Sequence, residues 1–126
     1  MQKRIKNLFK DNLFLIAIFI TLFIAYLSLI KMPTKSMPSF QGLDKVYHFF
    51  AYFTLAICWL FNFYKKNSLK YAIVISCIIY GIIIELLQGT LTDSRTADYK
   101  DVLANTLGIL FALVIFNLIF KKINVN

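Results

Sequence analysis

At 126 residues, 60% hydrophobic and with a mean hydropathy of +0.71, the chain is too apolar for an ordinary soluble domain, which is nearer half apolar. Its length suits one unit, residues 1–126, and four Gly with two Pro exclude a long flexible linker. The formal charge of +8 does not mark a nucleic-acid surface, because the Lys and Arg residues gather at the ends of apolar runs, as they do in the flanks of membrane helices.

The first predicted span runs from Leu13 to Ile30 behind Lys3, Arg4, Lys6 and Lys10. It is longer than the apolar region of a signal peptide and lacks a small-residue cleavage site, so it reads as a retained anchor helix. At 1.5 Å per residue it covers a hydrocarbon core of roughly 30 Å. Only Thr21, Tyr26 and Ser28 are polar within it, and its expected role is packing.

Met32 to Gly42 holds both prolines and reads as a loop. The next helix opens with Leu43-Asp44-Lys45-Val46-Tyr47-His48 and ends near Tyr64. Asp44 suits an N-terminal cap. His48 and Tyr52 follow at i+4 steps, so the three form one stripe. Trp59, Tyr64 and Tyr71 suit an aromatic belt at the opposite membrane face.

Lys65 to Lys70 is a short basic turn between antiparallel helices. The third span runs from Tyr71 to about Leu91, with Gly81, Glu85 and Gln88 on one face. Glycine there would permit close approach of another helix. Beyond the following turn, Asp98, Asp101, Asn105, Gly108 and Ala112 repeat at steps of three and four, one stripe of a fourth span from Val102 to Phe120. Cys58 and Cys77 fall inside spans and read as small apolar residues rather than a disulfide or metal site.

The expected fold is therefore all-α, an integral membrane bundle of four transmembrane helices. The N-tail, second loop and C-tail hold nine Lys and Arg against five in the other two loops, which places both termini in the cytoplasm.

That topology gathers the polar residues at one end. Glu85 lies 14 residues from Tyr71, or about 21 Å, hence roughly 9 Å below the outer boundary of a 30 Å core. Counting from Val46 puts Tyr52 at a similar depth. The stretch from Glu85 to Asn105 holds four of the six acidic residues. An ionisable side chain inside a membrane span is costly and demands a partner, and Arg95 is the candidate nearest in sequence to Glu85. The expectation is one outward-facing polar pocket, with no comparable set at the inner face.

Asp44-Lys45-x-x-His48-Phe49-x-x-Tyr52, Glu85-x-x-Gln88, Arg95 and Asp98-x-x-Asp101-Val102-x-x-Asn105-x-x-Gly108 together resemble the VanZ-like membrane family. The resemblance covers roughly residues 43–112; the first span carries none of it. It implies a role in the cell envelope, the family's name coming from a member associated with low-level resistance to the glycopeptide teicoplanin. It also implies a multi-pass protein of the cytoplasmic (inner) membrane.

Two functions fit these residues. In one, Asp44, Lys45, Tyr52, Gln88, Arg95, Asp98, Asp101 and Asn105 bind an envelope lipid, sugar or peptide, or a glycopeptide-type ligand, without turnover. In the other, Glu85 and His48 are the acid and base of a membrane enzyme acting on a lipid-linked or peptidoglycan-precursor substrate. Binding or structure is favoured over catalysis, and transport is disfavoured because four short helices leave little room for a pathway. No nucleophilic Ser or Cys stands with the polar set. The residue types would allow a divalent metal on His48, Glu85 and Asp98 or Asp101. There is, however, no compact motif such as His-Glu-x-x-His, and neither a metal site nor another cofactor is assigned. The partners expected are the lipid bilayer and the envelope ligand, with no nucleic acid.

Overall fold

Long apolar runs in lipid must satisfy their backbone polar groups internally, as helices do, and the computed structural model of the protein is accordingly a four-helix arrangement. Residues 2–29, 43–91 and 99–125 are described, with side chains over 12–29, 45–66, 68–90 and 99–119. The helices are α1 (Gln2–Leu29), α2 (Leu43–Asn62), α3 (Lys70–Leu91) and α4 (Tyr99–Val125).

α1 and α4 run beyond the apolar spans read from sequence, through Lys3 to Lys10 and past Lys121-Lys122. Lys and Arg are good helix formers, so a helix need not stop where its apolarity does. α2 ends at Asn62, earlier than expected. Phe63 N–H donates to the Leu60 carbonyl at 3.3 Å, Lys66 N–H to Phe63 at 2.9 Å and Leu69 N–H to Lys66 at 3.0 Å. This run of i to i−3 bonds, with the 3₁₀ turn Asn67–Leu69, tightens the connection into α3.

Three helices are long and apolar enough to cross a membrane, over Asn12–Leu29, Lys70–Thr90 and Tyr99–Ile119. α2 has a comparable length, but Asp44, Lys45, His48 and Asn62 make it less apolar. Burial is inverted relative to a soluble protein. On α4 the exposed line is Leu103, Leu107, Leu110, Val114 and Leu118, while Asp101, Asn105, Gly108 and Ala112 face inward. Glu85 and Gln88 on α3 are likewise 3% exposed. Polar residues inside and large aliphatics outside are the pattern that lipid imposes, since hydrocarbon leaves a buried polar group no partner but protein.

The core joins Tyr52, Leu55, Ala56 and Leu60 of α2 to Ile109, Ala112 and Phe116 of α4. α2 and α4 share the most extensive interface. Its closest point is Gly108, where an added Cβ would stand 2.2 Å from the Phe49 carbonyl oxygen and 3.2 Å from the Phe53 nitrogen. Only glycine allows the two backbones to meet there. Gly81 acts similarly on α3: a Cβ would lie 3.2 Å from the Tyr52 ring and 3.3 Å from Asn105 Nδ2.

α1 packs on α2 and α3 through polar contacts as well as apolar ones. Trp59 Nε1 donates to Thr21 Oγ1 at 2.9 Å, and the Tyr80 hydroxyl donates to the Thr21 carbonyl. Trp59 thus faces α1, while Tyr64 and Tyr71 are exposed. Beside these contacts, Leu55, Trp59, Phe63, Ile73, Cys77 and Tyr80 line part of an apolar groove of about 370 Å³. Cys58 and Cys77 are free thiols.

Candidate functional site

Lys45, His48 and Tyr52 lie at i, i+3 and i+7 on α2, one face of a helix of 3.6 residues per turn. Asp101 and Asn105 are one turn apart on α4. Because Gly108 draws the two helices together, these faces meet at their polar ends.

Lys45 Nζ donates to Asp101 Oδ1, forming an ion pair. The Asp101 side chain is 8% exposed and that of Lys45 33%, so the carboxylate is buried and the ammonium reaches outward. His48 Nδ1 stands 3.0 Å from Asn105 Oδ1. An amide oxygen only accepts, so Nδ1 carries the proton. The other ring nitrogen, Nε2, faces Asp101 Oδ2 at 3.6 Å. One carboxylate therefore engages a lysine with one oxygen and a histidine with the other.

Glu85 enters from α3. His48, Glu85 and Asp101 each bring a ligand-type atom to within 4.8 Å of the others, one residue from each of three helices. They are the side chains among those described that could hold a metal ion. Tyr52 is 2% exposed, and its hydroxyl has no hydrogen-bond partner among the described residues. Its ring lies against Gly81, beside the Asn105 amide, in the same interhelical space.

Of the residues singled out from sequence, Lys45, His48, Glu85, Asp101 and Asn105 are thus brought together, with Tyr52 beneath them. Gln88 is drawn elsewhere: its Nε2 donates to the Ser28 carbonyl of α1 at 2.9 Å, which ties α3 to α1. Arg95 and Asp98 lie outside the described residues, and so does the expected Glu85–Arg95 pair. Asp44 belongs to the first turn of α2, with its side chain outside the described set. Asp101 and Asn105 of α4 reach across the interface to Lys45 and His48 of α2. Lys45, named from sequence among the ligand-binding residues, pairs with Asp101.

Sequence reasoning missed the contacts that bind α1, because Thr21 and Ser28 are ordinary spacers in an apolar run. For Thr21 the signal available was its polar side chain, which accepts from Trp59; the bonds from Tyr80 and Gln88 go to the backbone carbonyls of Thr21 and Ser28, for which no side chain gives a signal. Lys70 Nζ to Asn117 Oδ1, at 3.0 Å, is a similar tie between α3 and α4 at the far end.

A family model described as VanZ/LLP1 matches residues 2–120. It takes in α1, which the motifs alone did not include. "Uncharacterized protein C11E3.10" of Schizosaccharomyces pombe is 35% identical over 109 residues, 85% of this chain and 64% of that protein. The chain thus spans a little under two thirds of that relative's length. No solved structure matches.

Proposed function

Because the chain belongs to the VanZ/LLP1 family, we propose that it is a multi-pass protein of the cytoplasmic membrane that binds an envelope component at the α2–α3–α4 polar cluster. In this reading α2 also crosses the bilayer, so that four spans leave both termini in the cytoplasm and the cluster near the outer face. The observation that carries it is the convergence of His48, Glu85 and Asp101 from three helices. Ionisable groups at membrane depth are costly, and a purely structural bundle could close with apolar residues instead.

The ligand class is a polar head group on a membrane-embedded body. Lys45 and His48 are the members of the cluster with access from outside, while Glu85, Asp101 and Asn105 are buried behind them. Arg95, Asp98 and Asp44 would complete the site from the adjoining loop and helix end. A relative in fission yeast favours a ligand that different kinds of membrane share, such as a phosphorylated or glycosylated lipid, over a wall peptide or glycopeptide. A second reading, a membrane enzyme with Glu85 and His48 as acid and base, draws support from the orientation of His48 by Asn105, since a positioned imidazole is what proton transfer needs.

The test pairs topology with phenotype. Reporters fused after Asn126 and within Lys65 to Lys70 should register cytoplasm, and one near Ser36 the outside. His48→Gln and Glu85→Gln keep polar groups of similar size on two different helices. Both should insert and melt like the parent yet fail to restore the envelope phenotype of a strain lacking the gene. Leu107→Ala, on the exposed face of α4, should restore it fully. Full activity of both polar variants would make the cluster structural and end the proposal.

A further inference from the structure

We infer that His48, Glu85 and Asp101 form a binding site for one divalent transition-metal ion of the zinc or manganese class. The inference deepens the reading of this cluster as a ligand site and rests on it, but its readout is metal binding by the purified protein.

The donor set comes first. One imidazole and two carboxylates, each from a different helix, bring ligand atoms within 4.8 Å of one another. Imidazole with carboxylate oxygen suits Zn²⁺ and Mn²⁺, whereas Ca²⁺ and Mg²⁺ take oxygen ligands alone or keep several waters.

The spacing comes second. Two donors each about 2.1 Å from a tetrahedral ion stand about 3.4 Å apart. His48 Nε2 and Asp101 Oδ2 stand at 3.6 Å, longer than a normal hydrogen bond and close to that ligand-to-ligand edge. The Glu85 oxygen lies within 4.8 Å of both.

The surroundings come third. A metal-bound histidine nearly always has its other ring nitrogen held by an acceptor, which sets its tautomer. Asn105 Oδ1 accepts from Nδ1 at 3.0 Å and so leaves Nε2 as the donor toward the metal position. Lys45 engages Asp101 at Oδ1, and Oδ2 is the oxygen turned to the histidine. Both supporting contacts come from residues that are not themselves ligands.

The buried Tyr52 hydroxyl is the independent observation. Tyr52 is 2% exposed, its hydroxyl has no partner among the described residues, and its ring lies against Gly81 beside the Asn105 amide. A buried hydroxyl is costly to leave unpaired. Three protein ligands leave a fourth position open on a tetrahedral ion, and a water or ligand oxygen there would give this hydroxyl its partner.

The experiment uses the full chain in detergent micelles, stripped with a chelator and titrated separately with Zn²⁺, Mn²⁺, Mg²⁺ and Ca²⁺. The expected result is one Zn²⁺ or Mn²⁺ per chain, with Mg²⁺ and Ca²⁺ failing to compete at equal concentration. His48→Ala, Glu85→Gln and Asp101→Asn should each abolish stoichiometric binding, and Asn105→Ala should weaken it about 10- to 100-fold. X-ray absorption at the zinc edge of the parent protein removes dependence on variants that fold poorly. It should show nitrogen and oxygen ligands alone at about 2.0–2.2 Å. Sulfur in the first shell would place the metal on Cys58 or Cys77 and overturn the assignment. Absence of stoichiometric binding by the parent would also overturn it, leaving His48 and Asp101 as neighbours across the α2–α4 interface. Metal binding with no dependence of the envelope phenotype on these residues would sustain the site while ending the proposed function. The reverse pattern would sustain the function and end the metal site.

Discussion

Gly108→Ala should destabilise the bundle, although alanine is the better helix former. Within a helix the change normally gains roughly 0.5–1 kcal/mol. Here the new Cβ would lie 2.2 Å from the Phe49 carbonyl oxygen, whereas a relaxed carbon–oxygen contact is about 3.3–3.6 Å. The obstacle is backbone, which cannot rotate aside as a side chain could. α2 and α4 must therefore separate by about 1 Å at this point, given that relaxed contact distance. Overpacking of this kind costs typically 1–3 kcal/mol, and a backbone clash belongs at the upper end. The net expectation is a loss of about 2 kcal/mol once the propensity gain is subtracted. The separation also reaches the site, because Phe49 follows His48 and Gly108 lies one turn from Asn105. Adding about 1 Å to the 3.0 Å contact between His48 and Asn105 removes that hydrogen bond. The assay is reversible unfolding in mixed micelles, read by circular dichroism. The ¹⁵N shifts of the single histidine supply a local reporter. Leu107→Ala, one residue away on the exposed face, is the control and should change little. A Gly108→Ala protein as stable as the parent, with unshifted His48 resonances, would refute the close approach.

Lys45→Ala should lower stability by about 1–3 kcal/mol: it strands the buried Asp101 carboxylate, but Lys45 is a third exposed and its charge is partly screened. Adding Asp101→Asn should recover part of the loss, and a double variant no more stable than Lys45→Ala would show that the pair carries no such coupling. Trp59 is the sole tryptophan, so Thr21→Val, which removes the acceptor of its indole N–H, should shift its emission and cost about 1 kcal/mol. Unchanged emission and melting would remove that contact between α1 and α2.

Much of the architecture is legible in the order of residues. Apolar runs separated by lysines and prolines mark the helices, and the period of 3.6 assigns Asp101, Asn105, Gly108 and Ala112 to one face whatever that face meets. The cost of burying polar groups then requires the polar faces to face each other, which is why His48, Glu85 and Asp101 could be expected at one place before any contact was known. Helical period says nothing, however, about where along its length one helix crosses another, nor about which neighbour a face is turned to. Those depend on the closest approach of backbones, set here by Gly108 against Phe49 and by Gly81 under Tyr52. Tertiary packing alone decided that Asp101 divides its oxygens between Lys45 and His48, and that Glu85 joins them. It likewise turned Gln88 to the Ser28 carbonyl of α1, a partner 60 residues away. Side chains on a shared helix reach only a few neighbours, whereas a helix crossing brings together residues that the chain keeps far apart.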